Sequence, residues 1–154
     1  HRIGGIEKAD GTGNISYDAA NHDKMVRLRD AKVQGIASEV PNLWVDDPTG
    51  DAELVVLGWG STYGPVGAAC EEARKEGIKV AQAHVRLVNP FPADTAEVLR
   101  KYKKVIIPEM NLGQLALLIR GKYLVDAQSL TKVEGQPFKS TEIVAAIKDV
   151  LAHG

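Results

Sequence analysis

A three-layer α/β/α sandwich with a mostly parallel sheet is the fold class this sequence predicts, and three observations carry it. Short apolar runs recur without polar alternation, most clearly Leu54-Val55-Val56-Leu57 and Val105-Ile106-Ile107, as strands buried on both faces require. Stretches with three-and-four apolar spacing follow them. The string from Lys104 to Leu115 ends its apolar run on Pro108 and a lone carboxylate, Glu109, then opens directly into an apolar helix. That layout belongs to a buried parallel strand that delivers Glu109 and Asn111 to the carboxyl edge of a sheet, where open α/β folds place their ligands.

Residues 1–14 are glycine-rich and polar, with no apolar period, and Gly11-Thr12-Gly13-Asn14 reads as turns. Residues 18–35 predict an amphipathic helix, with Ala19, Met25, Val26, Leu28 and Val33 set among many charges. Its apolar stripe is thin, so it is expected to lie across another body as a connector. Residues 40–50, with Pro41, Asp46-Asp47 and Pro48, read as a linker or loop.

The character changes at Asp51, which divides the chain into residues 1–50 and a domain of residues 51–154. After the strand at residues 54–57 comes a glycine-rich turn over 58–64, then a helix over 65–76. Pro65 suits its first turn and Gly77 its end, and Val66, Ala69, Cys70 and Ala73 form the inward stripe. A second strand spans 78–88, with Ala81, Ala83, Val85 and Leu87 alternating with Gln82, His84 and Arg86. Asn89-Pro90-Phe91-Pro92 stops it. Asp94 opens a short helix, with Glu97 at capping-box spacing and Val98, Leu99 and Tyr102 facing inward. A third strand (105–107), a helix (112–121) and a fourth strand (123–128) follow. The last helix spans 141–151, capped by Ser140 or Thr141, with Ile143, Ile147, Val150 and Leu151 in helical register. Strand and helix alternate four times, which makes a doubly wound sheet.

The totals exclude several classes of function. Nineteen basic and twenty acidic residues leave a net charge of −1, so no global attraction draws the chain to nucleic acid or to an anionic membrane. The single cysteine, Cys70, cannot form an internal disulfide or supply the thiolates of an iron–sulfur or zinc site. No apolar run approaches membrane-spanning length, and the cytoplasm is the expected compartment. The chain opens on His1, not Met, and reads as a fragment of something longer.

Four groups of residues are candidate sites. Gly58-Trp59-Gly60-Ser61-Thr62-Tyr63-Gly64 joins a strand to a helix, and Gly58, Gly60, Ser61 and Thr62 could present amides and hydroxyls to a phosphate or carboxylate. Its spacing matches neither the dinucleotide fingerprint nor a phosphate loop with its lysine, so a structural turn is the competing assignment. Glu109 could act as a base or pair with a cation, but a hydrogen-bonding clamp on the following loop is the expected role. Asn111 suits a helix cap. His84 and Arg86, on one strand face with Gln82, suit a polar pocket, a subunit contact or a solvated edge. The helix with Leu115, Leu117 and Leu118 is apolar nearly all round, which predicts burial on more than one side and hence a subunit interface. No nucleophile constellation, metal cluster or pair of carboxylates appears. The residues describe a domain that binds or assembles.

Four segments, taken together, resemble the α subunit of the 2-oxoacid:ferredoxin oxidoreductases, specifically the 2-oxoglutarate type. His1-Arg2-Ile3-Gly4-Gly5-Ile6-Glu7, Gly13-Asn14-Ile15-Ser16 and Asn21-His22-Asp23-Lys24-Met25-Val26, with Arg29 and Lys32, are similar to the tail of that family's pyrimidine-type domain. Lys8 stands where the family usually carries histidine. Leu57 to Pro65, His84-Val85-Arg86 through Pro92, and Pro108-Glu109-Met110-Asn111-Leu112-Gly113-Gln114-Leu115 resemble its next domain, which is like the C-terminal domain of transketolase.

The resemblance implies a thiamine diphosphate enzyme that converts a 2-oxoacid, coenzyme A and oxidised ferredoxin to acyl-CoA, carbon dioxide and reduced ferredoxin. Thiamine diphosphate, magnesium and the iron–sulfur cluster would sit on a partner β subunit, and this fragment would bind none of them. It would be an assembly domain, inactive alone, packed against the rest of the α subunit and the β subunit in an oligomer. His84, Arg86, Glu109, Asn111 and Gln114 would then be interface or structural residues. The resemblance also implies one antiparallel strand, from residues 43–45 or from the region after Ser129. The competing assignments are a free-standing module that binds an anion or coenzyme A, and the same family acting on pyruvate or another 2-oxoacid.

Overall fold

The computed structural model describes residues 4–153; the string His1-Arg2-Ile3 and Gly154 lie outside them. Two compact units divide at Val40 and Pro41.

In the first unit, strands β1 (Glu7–Lys8) and β2 (Ile15–Ser16) pair antiparallel. Helix α1 (Ala19–Gly35) follows, and the Asp18 carboxylate caps it by accepting the Asn21 amide at 2.7 Å. No residue of α1 is buried, as its thin stripe predicts. The unit is tied together by polar groups. The Glu7 carboxylate, almost fully buried, accepts from Arg29 Nη2 at 2.7 Å and Nη1 at 3.1 Å, and lies 3.2 Å from His22 Nδ1. Asn21 donates to the Lys8 carbonyl and accepts from the Asp10 amide. Glu7, Asn21, His22 and Arg29, scattered along the sequence, therefore meet in one knot. The Arg29 guanidinium is the main reason that the Glu7 carboxyl is pulled down to about 2.

The second unit is a five-stranded sheet between two helical layers. Its strands are β3 (Trp44–Asp46), β4 (Leu54–Trp59), β5 (Val80–Val85), β6 (Lys104–Glu109) and β7 (Ala127–Thr131), in the spatial order β3-β5-β4-β6-β7. β4, β5, β6 and β7 are mutually parallel, and β3 runs antiparallel on β5, pairing Trp44 with His84 and Asp46 with Gln82. Of the two candidate segments for the antiparallel strand, the earlier one supplies it. Residues 40–50, expected as a linker, thus contribute an edge strand, and the second unit starts ten residues before Asp51.

Both sheet faces are covered, which is why β4 reads as an unbroken apolar run. Val55, Leu57, Ala83, Val105 and Ile107 pack with helices α3 (Thr95–Leu99) and α4 (Gln114–Tyr123) through Leu99, Leu115 and Ile119. On the opposite face, Leu54, Val56, Val80 and Ile106 pack with helices α2 (Tyr63–Lys75) and α5 (Ser140–His153) through Val66, Ala69, Cys70, Ala73, Ile143 and Ile147. A fully buried aliphatic side chain contributes about 1.5–3 kcal/mol relative to exposure, so these two layers dominate stability.

Several details differ from the sequence-based expectations; the strand expected at 78–88 is shorter, Val80–Val85, and leaves Leu87 exposed. The strand expected at 105–107 extends to Glu109, whose backbone pairs with Thr131. Tyr123 closes α4 instead of opening a strand, because Leu124 takes a left-handed conformation (φ 54°) whose amide reaches back to the Arg120 carbonyl; β7 then starts at Ala127. The capping box at Asp94 does not form. Its carboxylate accepts the Leu43 amide at 2.9 Å, joining α3 to the lead-in of β3. The all-round apolar helix α4 buries Leu115, Ala116 and Ile119, whereas Leu117 and Leu118 are exposed.

Candidate binding crevice at the carboxyl edge

The chain runs from β4 to β5 on one side and then crosses back over β4 to β6. Between the carboxyl ends of β4 and β6 lies the point where strand order reverses, and there a crevice forms. Trp59, Gly60, Ser61, Thr62, Met110 and Asn111 line it. Gly60, at φ 55°, turns the chain out of β4 into a single 3-10 turn ahead of α2, a conformation that a side chain would strain.

The polar groups of this crevice are largely engaged with one another. The Thr62 hydroxyl accepts the Trp59 amide at 3.0 Å and donates to the Trp59 carbonyl at 2.9 Å. Asn111 Oδ1 accepts the amides of Gly113 and Gln114 at 2.8 and 2.9 Å, holding the turn that leads into α4, whose N-cap position is Gly113 and not Asn111. Ser61 Oγ lies 3.8 Å from Met110 Sδ. No cationic side chain lines the crevice among the described residues.

Glu109 stands below it, completely buried. Its carboxylate accepts the Leu115 amide at 2.7 Å and the Ala116 amide at 3.0 Å. These are amides of the first turn of α4, which have no partner within the helix. A carboxylate at a helix N-terminus also opposes the positive end of the helix dipole. Gly113 (φ 90°) makes the approach possible, since a Cβ there would fall 2.9 Å from Ser129 Oγ.

Further along the same edge, beyond β5, His84 meets residues that the sequence did not single out. Its ring packs edge-on against Tyr63 (5.0 Å, 79°), and Tyr63 lies 5.6 Å from Trp44. Gly58 is where β4 passes the imidazole: a Cβ there would stand 3.2 Å from His84 Nδ1 and 3.0 Å from Thr62 Oγ1. Trp44, Tyr63, His84 and Arg86 together line a second cavity. Burial first, and the Arg86 charge second, push the His84 pKa down. Gln82, on the same strand face, is buried under α2 against Gly67. Gln114 begins α4 and touches the site only through its capped amide.

A mostly parallel α/β/α domain with one antiparallel edge strand, whose carboxyl edge carries the Glu109 clamp on a helix start, is the class these features define. A split-gene transketolase chain shares the fold, with a TM-score of 0.54 at 16% identity over 71% of this chain and 41% of that one. The chain belongs to the family described as pyruvate:ferredoxin oxidoreductase core domain II, which matches residues 52–147. It is 62% identical, over 99% of its length, to the 2-oxoglutarate oxidoreductase subunit KorA of Mycobacterium tuberculosis, of which it covers 23%. Against 2-oxoacid:ferredoxin oxidoreductase 2, subunit alpha, of Aeropyrum pernix it is 34% identical over 99% of this chain and 24% of the relative. The 2-oxoglutarate:ferredoxin oxidoreductase of Magnetococcus marinus, solved with 2-oxoglutarate, coenzyme A and succinyl-CoA bound, superposes with a TM-score of 0.84. That match has 34% identity and covers 92% of this chain and 25% of that one. The chain thus spans about a quarter of the length of these relatives.

Proposed function

We propose that this chain is the C-terminal part of the α subunit of a 2-oxoglutarate:ferredoxin oxidoreductase, serving as a non-catalytic assembly domain. The observation that carries this is the 62% identity, over 99% of the chain, to a 2-oxoglutarate oxidoreductase subunit. Residues 1–40 would end the preceding pyrimidine-type domain, and residues 41–154, which include the edge strand β3, would form the transketolase C-terminal-like domain.

The donor set supports an assembly role. One cysteine cannot ligate an iron–sulfur cluster, and among the described residues no group of three His, Cys, Asp or Glu is arranged around a metal position. In this reading thiamine diphosphate, its magnesium ion and the iron–sulfur cluster belong to the β subunit. Glu109, Asn111 and Gln114 are then structural, fixing the entry to α4. Gly58, Gly60, Ser61 and Thr62 form a turn whose hydroxyl and glycines serve the strand-to-helix transition.

The exposed Leu117 and Leu118 on α4 suit contact with the remainder of the subunit, the β subunit or a second copy. Ferredoxin and coenzyme A would meet the whole enzyme. No helix among the described residues is long and apolar enough to cross a membrane, in keeping with a cytoplasmic enzyme. The test is co-purification: the tagged full-length subunit should bring down a β subunit with a thiamine diphosphate motif and clustered cysteines. Its recovery alone and well folded would overturn the assembly reading.

A further inference from the structure

The cavity lined by Trp44, Tyr63, His84 and Arg86 encloses about 210 Å³ at the carboxyl edge of the sheet, beside β5. That volume suits one ring with an attached group rather than an extended ligand, since drug-sized sites run from about 300 Å³ upward. Its walls are aromatic and open to solvent: Trp44 is 40% exposed and Tyr63 49%.

The lining is rich in donors and has no anion. Arg86 makes no ion pair or hydrogen bond within the described residues, whereas Arg74 in the same unit is engaged by Asp46 and the Val80 carbonyl. His84 Nδ1 is buried without a hydrogen-bond partner. An unpaired acceptor is tolerated in proteins better than an orphaned N–H, so the neutral ring carries its proton on Nε2. With Nδ1 held against Gly58, that N–H is left for the cavity. The Trp44 indole N–H and the Tyr63 hydroxyl add donors. A cation, an imidazole N–H and two ring faces with no carboxylate among them match a planar, negatively charged guest.

We infer that this cavity is a binding site for a planar aromatic group that carries a phosphate or carboxylate, with the Trp44 face stacking the ring, Tyr63, tilted 58° to Trp44, meeting it edge-on, and Arg86 and His84 holding the anion. The inference does not depend on the proposed function, since it uses only the geometry of this edge.

The test is calorimetric titration of the full chain with phenyl phosphate and, separately, with benzoate; phenol and inorganic phosphate serve as controls for the first and benzamide for the second. At least one anionic ring should bind saturably, and it should outbind its control. A charge-assisted hydrogen bond lost from a partly dry site costs about tenfold in affinity, so Arg86→Gln should weaken binding by about that factor. Trp44→Leu should weaken it similarly, with the thermal melting of both variants showing a folded protein. Preference for phenyl phosphate or for benzoate identifies a phosphate- or a carboxylate-bearing guest. Failure of both to bind in the millimolar range, binding unchanged by Arg86→Gln in a folded variant, or the uncharged ring binding as tightly as its anionic counterpart would overturn the inference.

Discussion

Glu109 reaches out of the end of β6 and takes the Leu115 amide at 2.7 Å, using a fully buried carboxylate to hold a helix start. The Ala116 amide binds its other oxygen at 3.0 Å. Two orphan donors of α4 are thereby satisfied inside the protein. Glu109→Ala removes both acceptors and leaves the amides buried, at about 1–3 kcal/mol each. The unfolding free energy in urea should fall by about 3 kcal/mol, and by roughly half as much for Glu109→Gln, which keeps one carbonyl acceptor.

Arg74 fastens the edge strand to the body of the sheet. From α2 it donates to the Val80 carbonyl at 2.9 Å, to the Asp46 carbonyl at 2.8 Å and to the Asp46 carboxylate at 2.7 Å. Arg74→Met keeps much of the stem but removes all three bonds, and should cost about 2 kcal/mol. Amide hydrogen exchange should accelerate along Trp44–Asp46 while β4 and β6 stay protected. Equal loss of protection in every strand would contradict this local role.

Cys70 lies on the buried face of α2, and burial pushes its thiol up to about 12. Since only the thiolate reacts, a disulfide reagent near pH 8 should leave the native protein unmodified and label it at once in denaturant. Rapid labelling of the native chain would mean that α2 opens more readily than its packing allows.

The Glu7 knot has a defined acid limit. The Arg29 guanidinium holds the Glu7 carboxyl near 2 in place of its ordinary 4.5. A carboxyl depressed on folding adds stability above its unfolded value and loses it as pH falls through the folded one. The contact between β1 and α1 should therefore hold at pH 5 and weaken between about 4.5 and 2. Carbon-13 NMR of the Glu7 carboxyl should titrate in that low range, and Arg29→Met should return it toward its ordinary value.

Much of the second unit is legible in the sequence because burial on two faces leaves a simple mark. Leu54-Val55-Val56-Leu57 and Val105-Ile106-Ile107 have no polar residue to hide them, and the α2 stripe from Val66 to Ala73 matches its helical period. The Glu109 clamp could be read from its place between a strand and a helix, as could a role for Asn111 at the start of α4, although the cap position itself falls to Gly113. What escaped depends on contacts far apart in the chain. Trp44-Val45-Asp46 is too short for any period and sits between two prolines; only the family resemblance offered it, as one of two candidates, and pairing with β5 makes it the strand. Tyr63 joins His84 only because Gly58 lets β4 pass the imidazole. Asp94 looks like a helix cap until Leu43, 51 residues earlier, arrives with a free amide.

The most direct test of the central claim is 2-oxoglutarate- and coenzyme A-dependent ferredoxin reduction by the full-length subunit co-expressed with its β subunit. The same assay is run on the present chain alone. The assembled enzyme should turn over and the isolated chain should not. Ferredoxin reduction by the isolated chain, or an intact assembly that ignores 2-oxoglutarate and reduces ferredoxin with another 2-oxoacid, would contradict it.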